Sequence, residues 1–187
     1  MGKNLRLAGI AGIIVLILTI IEAFIQVFVG INIIEPPLYL HLSIYILTIF
    51  SYPCFIWGFI LLADKYKYSL LKISSYISIV INFFISFITI YFLFFPETPY
   101  YLPISILLTM IFGVVCIVWG MALIALKNIF GTVAQATGII KIIIGVGFST
   151  FILAIFGILL FVPFYILASI ILFRAAKMHE IEFAKTT

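Results

Sequence analysis

Apolar residues dominate the chain in long runs that alternate with short polar clusters. A helix needs about 20 predominantly apolar residues to cross the hydrocarbon core of a bilayer. Four runs reach that length, and they cover Leu5–Ile34, Tyr39–Ala63, Ser69–Phe95 and Tyr100–Leu126. Each of them therefore predicts one membrane-spanning helix.

A fifth apolar stretch covers Ile129–Phe173, and its length of about 45 residues accommodates two further spans. The turn between these two spans has two candidate positions, Gly145–Ser149 and Gly157–Pro163. We favour Gly157–Pro163, because Pro163 begins a short motif that also marks the start of two earlier spans. The pattern thus predicts six crossings.

Composition determines the class of protein. Of the 187 residues 66% are apolar and only 9% are charged, and the mean hydropathy is +1.43. A soluble domain carries about 25% charged residues, so a soluble globule is excluded, and the same apolar excess excludes disorder. Two cysteines are too few for a disulfide scaffold. We expect an all-α, multi-pass membrane bundle that forms one transmembrane domain over residues 1–187.

The charged residues predict the orientation of the bundle. Cytoplasmic loops of membrane proteins carry an excess of Lys and Arg. With six crossings all ten basic residues fall at or near one side, while Glu35 and Glu97 mark the turns on the other. We therefore expect a plasma-membrane protein with both termini and a short tail, 177–187, in the cytoplasm. Lys141 is expected to reach the cytoplasmic surface by snorkelling.

An internal repeat is the most specific feature of the chain. Residues 35–65 align without a gap on residues 97–127, and 14 of the 31 positions are identical. An offset of two crossings gives both copies the same orientation, as in parallel transporter repeats. The identical pairs of less common residue types are Glu35/Glu97, Pro37/Pro99, Cys54/Cys116, Trp57/Trp119 and Gly58/Gly120.

A weaker third copy begins at Pro163, where Pro-Phe-Tyr-Ile repeats the pattern found at 37–40 and 99–102. Three tandem two-helix hairpins, 5–65, 69–127 and 130–176, are the simplest interpretation. A chance match stays open, because Arg174 follows Pro163 by only 11 residues. The corresponding distance from proline to lysine is 28 residues in the other two copies.

Small and polar residues form stripes along several of the predicted helices. Cys54 with Gly58, and Cys116 with Gly120, are expected to be helix-packing residues, because membrane helices associate through small side chains. Two cysteines alone do not form a metal site, and a redox pair is the lesser alternative. Trp57 and Trp119 are expected to fill space between helices. The third helix carries a stripe that predicts either packing or a solvated path: Ser75, Ser78, Asn82, Ser86 and Thr89.

Glu22 stands well inside the first predicted span, and ionisable residues within spans are functional candidates by default. Gln26 lies one turn further along the same face. Possible partners are Asn82 near the membrane midplane and Arg174, which would lie there if the sixth helix began at Pro163. These four residues form the candidate intramembrane polar site. The alternative is a hydrogen-bonded glutamate that only holds helices together. His41 is expected to be an interfacial hydrogen-bonding residue.

The sequence carries no motif of a membrane enzyme, a metal site or a nucleotide site, and no cofactor is expected. Two function classes stay open. The first is a non-enzymatic accessory or assembly subunit that packs with other membrane proteins or with itself, and short loops favour it. The second is a small transporter, channel or substrate-binding subunit that uses the site around Glu22. We expect the lipid bilayer to be the surrounding partner and no nucleic acid to bind.

Overall fold

The computed structural model describes residues 1–30, 37–95, 100–150 and 154–184, and all regular structure within these ranges is helical. This confirms the predicted all-α class for the described chain. The seven helices are α1 (Gly2–Gly30), α2 (Leu38–Tyr66), α3 (Ser69–Phe94), α4 (Tyr101–Ile124), α5 (Lys127–Phe130), α6 (Thr132–Thr150) and α7 (Ala154–Ala184).

Six of these helices, all but the single-turn α5, are long and apolar enough to cross a membrane. The chain is therefore a multi-pass membrane protein, as the apolar runs predict. The first four spans match the predicted ones closely, because Pro and charged residues separate them in the sequence. α5 lies between the fourth and fifth spans, and Gly131 ends it with a positive φ of 66°.

The predicted turn at Gly157–Pro163 is wrong. α7 is helical from Ala154 through Ala184, so Pro163 lies nine residues inside it, and the other candidate, Gly145–Ser149, lies within α6. Residues 151–153, between the two helices, are outside the described part of the chain. Proline is tolerated within membrane helices because neighbouring groups satisfy the freed backbone atoms. The proline motif that stands at the start of α2 therefore lies inside the helix in α7.

The six long helices form a closed ring. α1 packs against α2 and α7, α2 packs against α3, α3 against α4, α4 against α6, and α6 against α7. The buried core inside this ring draws residues from every long helix. Its centre is a cluster of aromatic rings from α2, α4 and α7, with centroid separations of 5.0 to 6.4 Å: Phe55, Phe59, Trp119, Phe164 and Tyr165.

Glycines bring α4 and α6 into close antiparallel contact. A Cβ added to Gly120 would lie 2.7 Å from the carbonyl oxygen of Gly138, and one added to Gly113 would lie 2.7 Å from that of Gly145. Backbones approach this closely only where side chains are absent. The α4–α6 contact therefore has glycines on both helices at its closest points.

Ion pairs join the helix ends on one side of the bundle, which we call the terminal face because it holds Met1 and the end of α7. Arg6 on α1 contacts Glu180 on α7 at 2.7 Å, Lys65 on α2 contacts Glu182, and Asp64 contacts Lys72 at 2.7 Å. Water and salt screen exposed pairs such as these, so they stabilise the fold little. Two of these pairs join the end of α7 to α1 and α2, and both chain ends therefore lie on the same side of the bundle.

Candidate functional site

Lys141 lies at the centre of α6, nine residues from each end and thus about 14 Å from either end along the axis. Its side chain is 1% exposed and is among the largest fully buried side chains of the described residues. The prediction that Lys141 snorkels to the cytoplasmic surface is wrong. The side chain turns into the ring because α6 places residue 141 on the face that carries Gly138 and Gly145 against α4.

Four aromatic rings surround the amine of Lys141. The Nζ atom lies over the rings of Phe164, Phe161, Trp119 and Phe112, at 4.4, 5.0, 5.3 and 5.3 Å from their centroids. Ring faces attract a cation, by about 2 kcal/mol or more where the pair is desolvated. The Nζ atom donates no hydrogen bond to an oxygen or nitrogen atom of the described residues. Lys141 is thus a buried amine whose surroundings are aromatic.

Buried polar groups lie next to this aromatic cage. The Nε1–H of Trp119 donates a hydrogen bond of 2.9 Å to Ser75 Oγ, and Cys116 is buried close to Lys141. The hydroxyl group of Tyr52 is buried in the same region, close to Cys116 and Tyr165. These groups come from α2, α3, α4 and α7. They lie near one another because the six long helices close into a ring.

A second polar cluster lies between α1 and α2, about 12 Å along α1 from its end at Gly30. Glu22 Oε1 accepts hydrogen bonds from Gln26 Nε2 at 2.8 Å and from the Tyr45 hydroxyl at 3.0 Å. The Nδ1 atom of His41 is 3.7 Å from the same oxygen. The side chains of Glu22 and His41 are 19% and 13% exposed. The structure therefore brings Glu22 and Gln26 together, as predicted, and adds two partners.

Sequence reasoning missed Tyr45 and His41 as the partners of Glu22. The signal was present, because residues four apart share one helix face and α1 and α2 form an antiparallel hairpin. Residues 41 and 45 lie at the depth of Glu22 once that hairpin is drawn. The sequence gives no sign of how the two helices are rotated, and this rotation decides which residues meet.

The structure does not bring Asn82 and Arg174 to Glu22. Asn82 lies on α3, and its Oδ1 atom is buried without a hydrogen-bond partner among the described residues. Arg174 is 20 residues from the start of α7, or about 30 Å along the helix, and it lines a groove near the terminal face with Phe130 and Gly131. The midplane position of Arg174 is wrong, because it depended on a helix that begins at Pro163.

The four predicted helix-packing residues divide into two groups. Gly58 packs against Ala8 and Leu172, and Cys116 and Gly120 are buried in the core. Cys54 is exposed, so it does not pack within this chain, and the two cysteines are free thiols. The difference arises because α2 turns another face, with Phe55 at its centre, toward the core.

The two tryptophans also differ. Trp119 is 0% exposed and fills space between helices, as predicted, whereas Trp57 is 47% exposed and does not. Trp57 and Cys54 line an open groove along α1 and α2, together with Asn4, Leu7, Ala8 and Pro53. This part of α2 is therefore on the outside of the ring.

No group of three or more metal-ligating side chains that could hold a metal ion occurs among the described residues. Comparison of the chain with protein-family models, with curated proteins and with solved structures finds no match. The functional argument therefore depends on the two polar clusters and on the outer groove.

Proposed function

We propose that this chain is a small membrane transport or solute-binding subunit that uses ionisable groups inside the helix ring. Lys141 is the observation that carries the proposal. A charged side chain at the centre of a membrane helix opposes insertion by about 2.5–3.5 kcal/mol. Such residues face the interior of a bundle and mark substrate or ion pathways, and Lys141 has this position.

The cluster around Glu22 supports the same proposal. Glu22, with His41 beside it, provides titratable groups between α1 and α2, toward the membrane side opposite the terminal face. Lys141 provides a second ionisable group near the middle. Ionisable groups at two depths are what a proton or a small charged solute requires in order to move stepwise through a bundle. The sequence alone favours an accessory role, and buried Lys141 is the reason for preferring transport.

The test is flux through the purified protein reconstituted in lipid vesicles under imposed gradients of protons, potassium and chloride. Wild-type vesicles are expected to dissipate at least one gradient faster than empty vesicles. Lys141→Met and Glu22→Gln should each lower that flux at least tenfold, because each removes a charge-bearing group from the pathway. Both substitutions approximately conserve side-chain volume, which limits packing effects.

Lys127→Met is the matched control, because Lys127 begins α5 at the terminal face and lies outside the ring interior. It should leave the flux unchanged. Wild-type flux equal to that of empty vesicles for all three gradients would refute the transport proposal. Equal flux in wild type, Lys141→Met and Glu22→Gln would refute the role of these residues.

An accessory or assembly subunit is the second candidate, and the outer groove on α1 and α2 favours it. Cys54 and Trp57 lie on this groove, while their repeat counterparts, Cys116 and Trp119, are covered inside the ring. An exposed copy of a stripe that is buried elsewhere in the chain is a natural surface for a further membrane helix. The test is copurification of a fixed membrane partner that is lost in Trp57→Ala. Absence of any stoichiometric partner would contradict this candidate.

Topology and surroundings complete the proposal. We assign the terminal face to the cytoplasmic side of a plasma membrane. Eight Lys and Arg residues of the described chain lie toward this face, and cytoplasmic loops of membrane proteins carry an excess of Lys and Arg. The proposed surroundings are lipid and other membrane subunits or further copies, without nucleic acid. The proposal assigns no catalytic step and no cofactor to the chain.

A further inference from the structure

A groove between α5 and α7 lies near the terminal face, at the depth where lipid headgroups begin. Its volume is about 360 Å³, which falls within the roughly 300–1,000 Å³ of small-molecule sites. α6 has 19 residues and is therefore about 28 Å long, close to the thickness of the hydrocarbon core. Gly131 directly precedes α6 and lines the groove, so the groove lies where the hydrocarbon core ends.

Two basic side chains line this groove. Arg174 and Lys177 are exposed and lie one turn apart on α7. The carboxylates that follow them on α7, Glu180 and Glu182, each contact a basic residue on another helix instead. Within the described ranges, neither Arg174 nor Lys177 forms an ion pair. The groove thus carries two positive charges that the described chain does not neutralise.

Apolar side chains form the rest of the groove wall. Ile129 and Phe130 come from α5, and Met178 and Ile181 come from α7. Met178 and Ile181 are 36% and 48% exposed, so the wall offers apolar surface that the described chain leaves uncovered. A Cβ added to Gly131 would meet no described atom within 4 Å, which leaves space on that side. Basic charge beside an uncovered apolar wall suits a ligand that is both anionic and apolar.

We propose that this groove binds an anionic glycerophospholipid of the leaflet at the terminal face. The lipid phosphate pairs with Arg174 and Lys177, and the glycerol region lies against Phe130. Basic pockets between membrane helices on the cytoplasmic side bind anionic headgroups, and a guanidinium group can form two parallel hydrogen bonds to a phosphate. A lipid suits the groove better than free phosphate, because its apolar part covers the wall. This site does not depend on the proposed transport function.

The experiment is native mass spectrometry of the purified protein in a neutral detergent. The protein is titrated with dioleoylphosphatidylglycerol or with dioleoylphosphatidylcholine, which has the same acyl chains and no net charge. The first phosphatidylglycerol is expected to bind about tenfold more tightly than the first phosphatidylcholine, because two basic side chains meet its phosphate. The double variant Arg174→Gln/Lys177→Gln should lose this preference.

The matched control is the double variant Lys3→Gln/Lys67→Gln, which removes two charges from the terminal face outside the groove. It should keep the preference for phosphatidylglycerol. A further variant, Ile181→Glu, leaves both basic residues in place and adds a carboxylate to the groove wall. It should weaken phosphatidylglycerol binding about threefold to tenfold by repulsion. All five substituted positions are exposed, so these variants are expected to fold.

Equal affinity of the wild type for the two lipids would overturn the lipid site. An equal loss of the preference in both double variants would also overturn it, because the charge of the whole face would then be responsible. Displacement of phosphatidylglycerol by millimolar inorganic phosphate would assign the groove to a free anion and refute the lipid as its occupant. The titration measures no flux, so this site and the transport proposal can fail independently.

Discussion

α2 and α4 carry identical residues at several aligned positions, and these residues have different surroundings. On α4, Cys116 and Trp119 are buried, and Trp119 packs against Phe164 and donates to Ser75. On α2, the identical Cys54 and Trp57 are exposed on the outside of the ring. Only the glycine of the stripe is buried in both copies. Identical residues at aligned positions therefore do not determine which side of the helix meets the core.

This difference shows which contacts determine how a membrane helix is rotated about its own axis. α4 is held by two close glycine contacts to α6, and these turn Cys116 and Trp119 inward. α2 has Ala8 and Leu172 against Gly58 and directs Phe55 and Phe59 to the core instead. Because lipid and protein interior are similarly apolar, the apolar pattern alone does not select the inward face.

The largest expected difference is between Trp119→Ala and Trp57→Ala. Trp119→Ala leaves a cavity at the centre of the ring and removes the hydrogen bond to Ser75, so we expect a loss of about 3 kcal/mol in the free energy of unfolding. Trp57→Ala should change it by less than about 0.5 kcal/mol. Unfolding of both variants in mixed detergent–lipid micelles measures the difference. Equal losses would contradict the assignment of inward and outward faces.

The aligned glycines of α2 and α4 should differ less. A Cβ at Gly120 would meet backbone atoms of α6, whereas a Cβ at Gly58 would meet the side chains of Ala8 and Leu172. Gly120→Ala is therefore expected to lower the free energy of unfolding by about 1–3 kcal/mol, and Gly58→Ala by a similar amount, because the Cβ of Ala8, 2.6 Å away, moves only with the backbone of α1. The same micelle unfolding assay applies. Gly157→Ala is the control, since its nearest neighbours are 3.5 Å away, and a larger loss there would contradict the packing.

The cysteines should differ in reactivity with little effect on stability. An apolar maleimide is expected to label Cys54 in the folded protein in detergent and to leave Cys116 unlabelled, because only Cys54 is exposed. Mass spectrometry of the intact chain then gives one adduct, and Cys54→Ser gives none. Unfolded protein, in which both thiols react, is the positive control. Labelling of Cys116 at the rate of Cys54 would show that the two helices present the same face.

The sequence predicts the class and the number of crossings because long apolar runs and short polar turns leave few alternatives. It places Glu22 beside Gln26 because residues four apart share a helix face. It does not predict the rotation of α2 against α4, the partner His41, or the inward side chain of Lys141, because all three depend on which helices become neighbours in the ring. Pro163 misleads for a related reason, since its motif begins a helix in one context and lies inside a helix in another.

The central lysine also affects how the chain enters the membrane during synthesis. α6 is the shortest and least apolar of the six spans, and a basic residue at its middle disfavours independent insertion. α4 precedes α6 on the ribosome, so Gly113 and Gly120 are already in the bilayer when α6 emerges. We therefore expect α4 to offer α6 a packing surface through these glycines during insertion, before α7 follows.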